Sequence, residues 1–552
     1  MFLTGVARRW YDPPMSAPRT RLGGFGAVFF LATLGGIAFY VQRQAVPDAN
    51  DAVRTAVTQS SSPAEEAPVA ALPWQDRLDL AALKPEPLGT EAPSAGKSTD
   101  PDFAGLATGL GNTRLVQSLS DGHRILYTLD PVLQDAAQQI FRNREVPYAA
   151  AVILDVRDNS VLALAGHSSM DPQVDPLEIT TTAWAPAAST FKLVTAAALL
   201  KQNRAIGKTK VCFSGGLHGI TDDLLSDDAA RDTACDDLGG AIAHSHNVVV
   251  AKLALKHLTA GNLGDITKTF RFGSEIPFEF RVEPSPAVVP DDPKERARVA
   301  AGFWHVDMSP LHGALLASVF ARDGVWQPPH IVAQVRDASG ADRTPALPAS
   351  ERVLPKDIAD QIGEMMVRTT SEGTARGSFR DRQGVYYITD AEVAGKTGSL
   401  TGKRAPGLNY NWFVGYAPAE RPEIAFAVLL ANEPKWRIKA HYAARRLVQI
   451  YLQRKADIEA HRDARLTETG VELPGKPKSQ KPADKAEPLP TVSSSKPKDQ
   501  TVAVKTSRPS GPDLTPVKSA DKLPESLAKP KAETLPPIPG PVARKPSKSS
   551  GV

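Results

Sequence analysis

The chain has 552 residues, 47 of them proline and 40 glycine, and its 65 lysines plus arginines nearly balance 61 aspartates plus glutamates, leaving a net charge of +4. Proline is denser toward both ends than in the middle, so the folded part is shorter than the length suggests. The near-balanced charge, with no aromatic-interleaved basic face in the middle of the chain, argues against a nucleic-acid partner. In chain order, residues 1–21 carry Arg8, Arg9, Arg19 and Arg21 and precede LGGFGAVFFLATLGGIAFYVQ at residues 22–42, an uncharged run. About 20 such residues suffice for a helix to cross the hydrocarbon of a bilayer. The arginines in front of it, against Asp48 and Asp51 behind, predict a single-pass inner-membrane anchor with residues 1–21 cytoplasmic and the rest extracytoplasmic or periplasmic. A cleaved signal peptide competes, but the run is long for one and no small-x-small cleavage site follows. Residues 43–118, rich in alanine, proline, serine and acids, are expected to form a linker or small juxtamembrane region.

Between residues 119 and 455 the pattern becomes periodic. RILYTLD predicts a strand and DPVLQDAAQQIFRN an amphipathic helix. AAAVILDV and SVLALAG, separated by a turn around Arg157, Asp158 and Asn159, predict an antiparallel hairpin. PAASTFKLVTAAALL, from Pro186 to Leu200, predicts a helix apolar on all sides that nevertheless keeps Ser189 and Lys192 three residues apart on one face. A buried lysine must be paired or deprotonated, and either state points to chemistry. The spacing alone means little, because Ser493 with Lys496, Ser495 with Lys498, Ser519 with Lys522 and Ser526 with Lys529 repeat it in the tail. Cys212 and Cys235, the only cysteines, fall in a region predicted to be external, where an oxidising compartment permits a disulfide; a zinc site would need more ligands than lie nearby. In GGAIAHSHNVVVAKLAL the residues Ser245, His246 and Asn247 interrupt a helical pattern. AEVAGKTGS, NWFVGYA and EIAFAVLLA predict three late strands, the first carrying Lys396, Thr397, Gly398 and Ser399, and a helix from about His441 to Lys455 closes the domain. Strands at both ends with helices between them imply an α+β fold, a single antiparallel sheet flanked by helices. Residues 456–552, rich in lysine, proline and serine, are expected to be a disordered tail.

S-T-F-K, S-H-N and K-T-G-S, in that order, resemble the penicillin-binding protein and serine β-lactamase superfamily. YTLDPVLQDAA, SPLHGALLASVFARDGVWQPPHIV, EGTAR and WFVGYAP resemble its transpeptidase domains, so the likeness runs over residues 119–455. It implies a monofunctional enzyme with a reduced N-terminal region that cross-links peptidoglycan stem peptides, is acylated by β-lactams and works beside other cell-wall synthesis proteins, with no cofactor or metal. Ser189 would be the nucleophile, Lys192 its base, and Ser245 a proton relay to the leaving amine. Asn247 would hold the substrate amide, Lys396 would supply positive potential, and Thr397 and Ser399 would bind the substrate carboxylate. The backbone N–H groups of Ser189 and Ser399 would form the oxyanion hole, with Gly398 making room for substrate. His244 and His246 are expected to line the cleft or meet solvent, Trp412 and Gly415 to be sheet core, and Thr374 to support the cleft. A D,D-carboxypeptidase, a class D-like β-lactamase and a penicillin-sensing or scaffold module are the rivals. DDPKERAR lacks the surroundings expected of a glutamate that positions a hydrolytic water, and the 21 residues before the apolar run argue against a sensor.

Overall fold

The computed structural model describes residues 74–89, 102–103, 108–216, 219–401, 407–434, 437–468 and 470–473. The predicted span at 22–42 and all but the first residues of the predicted tail lie outside them. Among the described residues no helix is long and apolar enough to cross a membrane.

Strands β1 (Lys84–Pro87), β2 (Thr113–Ser118) and β3 (Arg124–Tyr127) lead to helix α1 (Pro131–Asn143) and the hairpin β4 (Tyr148–Asp155) and β5 (Val161–Ser168). A 3₁₀ turn at Ala188–Phe191 runs directly into α2 (Lys192–Gln202). Then come the short strands β6 (Val211–Phe213) and β7 (Ala234–Asp236), and helices α3 (Leu238–His244), α4 (Asn247–His257), α5 (Pro293–Ala300) and α6 (Pro310–Ala321). Strand β8 (Val332–Arg336) and helix α7 (Lys356–Ser371) precede the meander β9 (Ala394–Thr401), β10 (Asn409–Ala417) and β11 (Ile424–Asn432), and α8 (Ala440–His461) follows.

The local reasons are visible in the residues. Asp130 caps α1 by accepting from the Leu133 N–H, with Pro131 in the first turn, and the stripe Val132, Leu133, Ala136, Ala137 and Ile140 is buried. The β4–β5 hairpin turns through Asn159 at φ 58°, a left-handed conformation that asparagine tolerates.

The main sheet has five antiparallel strands in the order β9-β10-β11-β4-β5. Side chains alternate across it, and both faces are covered. Along β11, Ala425, Ala427, Leu429 and Ala431 join one apolar core with α2, α6 and α7, while Ile424, Phe426, Val428 and Leu430 join the other with α1 and α8. That double burial explains why EIAFAVLLA reads as an unbroken apolar run. Helix α6 is buried at every position. Its Gly313 permits the close approach to the sheet: a Cβ there would lie 3.2 Å from that of Ala427.

Two expectations are corrected. The RILYTLD strand is not in the main sheet: β3 belongs to a separate four-stranded sheet ordered β1-β2-β3-β8. Its partner β8 comes some 200 residues later, a pairing that no local periodicity encodes. The folded unit also exceeds 119–455. Trp74 is 1% exposed within the main core, β1 and β2 precede residue 119, and α8 runs on to His461 before a small hairpin that pairs Leu466 with Val471.

Candidate active site

Four backbone segments converge on Ser189. The 3₁₀ turn that carries it is entered through Ala188 at φ +50°, a left-handed conformation costly for a residue with a Cβ and typical of functional turns. Lys192, three residues on and fully buried, places its Nζ 2.6 Å from Ser189 Oγ, 2.7 Å from Asn247 Oδ1 and 2.7 Å from the Ala301 carbonyl oxygen. Asn247 is oriented by its own Nδ2, which donates to the Gly216 carbonyl, so its Oδ1 must face the lysine.

This geometry suits a neutral amine. Burial, and then the positive charge of Lys396, pushes the Lys192 ammonium well below its ordinary range. A neutral amine has two N–H donors and one lone pair. The Asn247 and Ala301 oxygens can only accept and take the two donors, which leaves the lone pair for the Ser189 hydroxyl proton. The lysine is thereby aimed at the proton that must leave if Ser189 is to act as a nucleophile.

A second hydrogen-bonded pair lies alongside. Lys396 on β9 is fully buried and donates to Ser245 Oγ at 3.1 Å and to the Thr397 carbonyl at 2.8 Å. Burial brings its pKa down to about 7. Ser245 ends α3 in the left-handed conformation, φ 60°; this sharp junction turns the chain into α4 and lets Ser245 and Asn247 face different lysines. Thr397 Oγ1 is 2.6 Å from Thr374 Oγ1, and the Thr374 backbone N–H donates to the Ala243 carbonyl just before Ser245. Ser399 Oγ accepts from Asn411 Nδ2 at 3.0 Å, which leaves its own proton free to donate. Strand β9 lies at an edge of the main sheet, where an extended chain can be added.

Ser189, Lys192, Ser245, Asn247, Lys396 and Thr397, drawn from three distant motifs, thus form two hydrogen-bonded clusters, with Ser399 further along the same strand. Trp412 is sheet core, as expected, and its Nε1 donates to the Pro186 carbonyl just before the Ser189 turn. Gly415 is also structural, since a Cβ there would lie 2.2 Å from the Ala394 carbonyl oxygen. Gly398 has close neighbours within the fold. An added Cβ would meet Thr190 Cγ2 at 3.1 Å, Trp412 Cβ at 3.2 Å and the Ala187 carbonyl oxygen at 3.3 Å. The glycine therefore also relieves crowding against the Ser189 turn packed behind it.

His244 is exposed. His246 packs its ring on Phe213, and its Nδ1 lies 3.1 Å from Asp236 Oδ2, an ion-pair distance without hydrogen-bond alignment. Both partners belong to the β6–β7 ribbon, which is closed by the Cys212–Cys235 disulfide between directly paired residues. Lys252 of α4 ties to the same excursion through Asp232 at 2.5 Å. Glu295, the glutamate of DDPKERAR, pairs with Arg298.

Sequence reading missed the Ala301 carbonyl and Gly302. At Gly302, φ +92°, a Cβ would lie 2.2 Å from the Ala188 carbonyl oxygen and 2.9 Å from Ser189 N. Backbone contributions of this kind leave no residue-type signal.

A family model described as the penicillin binding protein transpeptidase domain matches residues 149–450. Stage V sporulation protein D of Bacillus subtilis is 24% identical over 350 residues, covering 58% of this chain and 51% of that protein, so the chain spans about half the length of this relative. The peptidoglycan D,D-transpeptidase PbpA of Mycolicibacterium smegmatis is 24% identical over 346 residues, 56% of this chain and 68% of that one. Among solved structures, PBPA from Mycobacterium tuberculosis aligns with a TM-score of 0.51 at 20% identity, covering 60% of this chain and 83% of the other, a likeness of fold. The family match covers more than half of the chain and takes in the whole Ser189, Ser245 and Lys396 constellation, so the chain belongs to the penicillin-binding protein transpeptidase family.

Proposed function

We propose that the protein is a peptidoglycan D,D-transpeptidase that works through an ester on Ser189. The observation that carries this reading is the buried Lys192 amine, 2.6 Å from Ser189 Oγ with its N–H groups occupied by acceptors. In the first half-reaction Ser189 Oγ bonds to the carbonyl carbon of the penultimate D-alanine, and its proton passes to Lys192 Nζ. The peptide C–N bond breaks, and the departing D-alanine nitrogen gains a proton through Ser245, whose hydroxyl is held by Lys396. In the second half-reaction an amine from a neighbouring stem peptide attacks the ester, the proton path runs in reverse, and Ser189 is restored. Thr397, Ser399 and the Lys396 cation bind the terminal carboxylate, and Asn247 holds the donor amide. A β-lactam enters the same first step, with its ring amide as the bond that breaks. The enzyme is anchored in the inner membrane by residues 22–42 with its catalytic domain outside, a reading supported by the apolar run, the arginines before it and the Cys212–Cys235 disulfide. It works there beside other wall-synthesis proteins.

The test is covalent labelling of the full-length protein with a fluorescent penicillin, followed by intact mass. Wild type is expected to gain one penicilloyl group and Ser189→Ala none. An adduct on the alanine variant would remove the assignment. With a D-Ala–D-Ala stem peptide and a D-amino acid acceptor, exchange products are expected; hydrolysis alone at saturating acceptor would make the enzyme a carboxypeptidase, and rapid penicillin turnover a β-lactamase.

A further inference from the structure

The segment after α5 wraps the nucleophile turn. The Ala301 carbonyl accepts from Lys192, and Gly302 lies against the Ala188–Ser189 peptide. The Val306 carbonyl accepts from the Ala187 N–H, and Asp307 and Met308 pair with Pro186 and Ala185. Between these contacts only Phe303, Trp304 and His305 loop away. Phe303 turns inward, 9% exposed, into an apolar cluster against which Leu400 of β9 packs. Trp304 turns outward and is 49% exposed, although the fold elsewhere buries its tryptophans in the described core.

The backbone is strained to achieve this. Trp304 has φ +28° and His305 φ +61°, and Gly302, two residues before Trp304, has φ +92°. Non-glycine residues held in such conformations are costly and persist where surrounding structure enforces them, most often at functional sites. The indole has two neighbours: it stands edge-to-face with the Phe303 ring at 5.6 Å between centroids, and its Nε1 is 3.5 Å from Glu295 Oε2. An aromatic ring left half in solvent, two residues from the glycine against the Ala188–Ser189 peptide, buries too little to be explained by packing alone.

We propose that Trp304 is a specificity-determining residue, an aromatic platform on the rim of the Ser189 cleft that takes the apolar stem of the donor residue preceding D-Ala–D-Ala. This rests on the transpeptidase reading. Aromatic side chains suit the task, because they present a large surface with few rotatable bonds and so lose little entropy on binding. The contact is made to a part of the donor that does not react, so its loss should appear mainly in KM.

The experiment compares two donors on the full-length protein in detergent, a stem pentapeptide ending in D-Ala–D-Ala and N-acetyl-D-Ala–D-Ala, with release of D-alanine measured at saturating acceptor. Wild type, Trp304→Ala and Trp304→Phe are compared, with thermal melting as the fold control. Trp304→Ala is expected to lose about tenfold more kcat/KM with the pentapeptide than with the dipeptide, mostly through KM, on the scale of a lost aromatic contact. Trp304→Phe should recover most of that difference. Equal losses with both donors, or none with either, would overturn the platform while leaving Ser189 chemistry standing. Failure of wild-type protein to form an ester with any donor or penicillin would remove the underlying reading, and the inference with it.

Discussion

At the residue scale, two buried lysines divide the work because their surroundings differ. Lys192 faces acceptors and a neighbouring cation, which favour the neutral amine; in the proposed reaction it is the base, and Lys192→Met should lower penicillin acylation by about 10²–10⁴-fold, the usual worth of a positioned general base. Stopped-flow acylation of a chromogenic β-lactam measures this, and a loss below tenfold would remove Lys192 from the proton path. Lys396, with its pKa brought down to about 7 by burial, is a cation below that pH and loses its charge above it. KM for a donor with a free terminal carboxylate should therefore rise with pH above about 7, whereas the matching carboxamide donor should show no such rise. Two parallel KM profiles would exclude the charge contact. The same burial has a stability consequence. Between about pH 7 and 10.4 an unfolded lysine holds a proton that folded Lys396 does not, so this group's contribution to stability improves with rising pH across that window. Ser189 and Lys192 were legible because a polar pair inside an apolar helix is costly without purpose. The Ala301 carbonyl was not, since any residue supplies one, and Gly302 was one glycine among 40.

At the element scale, the reactive groups are held by short junctions and the regular elements serve as their mounts. Gly302 shows the tolerance involved. Gly302→Ala would place a Cβ 2.2 Å from the Ala188 carbonyl oxygen in a left-handed conformation, so the Ser189 turn must shift. A loss of about 1–3 kcal/mol in stability is expected, together with more than tenfold slower acylation. Urea unfolding and penicillin labelling report the two effects, and normal labelling would show that the turn does not depend on this contact. The β6–β7 ribbon holds Asn247 from behind, since the Gly216 carbonyl that orients it lies within the segment closed by Cys212 and Cys235. Replacing both cysteines with serine should cost roughly 3 kcal/mol on a chain-entropy basis, seen as a lower melting temperature. An unchanged melting temperature would mean that Lys252 and Asp232 hold the ribbon without the bridge. The β4–β5 hairpin and the late meander were legible from their apolar runs and turn residues. The second sheet was not, because β3 looks the same whether its partner is a neighbour or a strand 200 residues away.

At the scale of the whole molecule, the two ends of the described fold meet. Leu88, just after β1, bridges to Val471 in the last hairpin, and the Gly89 N–H donates to the Val471 carbonyl. Leu88, Val116, Leu126, Leu466 and Val471 share one small apolar core built from both termini of the unit. Trp74 is buried in the main core, and Arg454 near the end of α8 pairs with the buried Asp130 that caps α1. Composition hid this arrangement, because proline, alanine and charged residues around β1 dilute the few apolar anchors that matter. Periodicity alone would place the domain at 119–455, yet that fragment lacks β1 and β2, empties the Trp74 site and removes one side of the shared core. It also keeps Arg454 while losing the last turn of α8 and the hairpin beyond. Loss of a buried tryptophan alone costs about 3–5 kcal/mol, a large share of the 5–15 kcal/mol that usually separates folded from unfolded states. A fragment spanning 74–473 should therefore melt cooperatively and label with penicillin on Ser189, whereas 119–455 should expose apolar surface, aggregate or melt far lower, and label poorly. Trp74→Ala in the longer fragment isolates the first of these losses and should lower the melting temperature without changing the acylation rate per folded molecule. Equal melting and labelling of the two fragments would show that the second sheet and the closing hairpin are carried by the catalytic unit without supporting it.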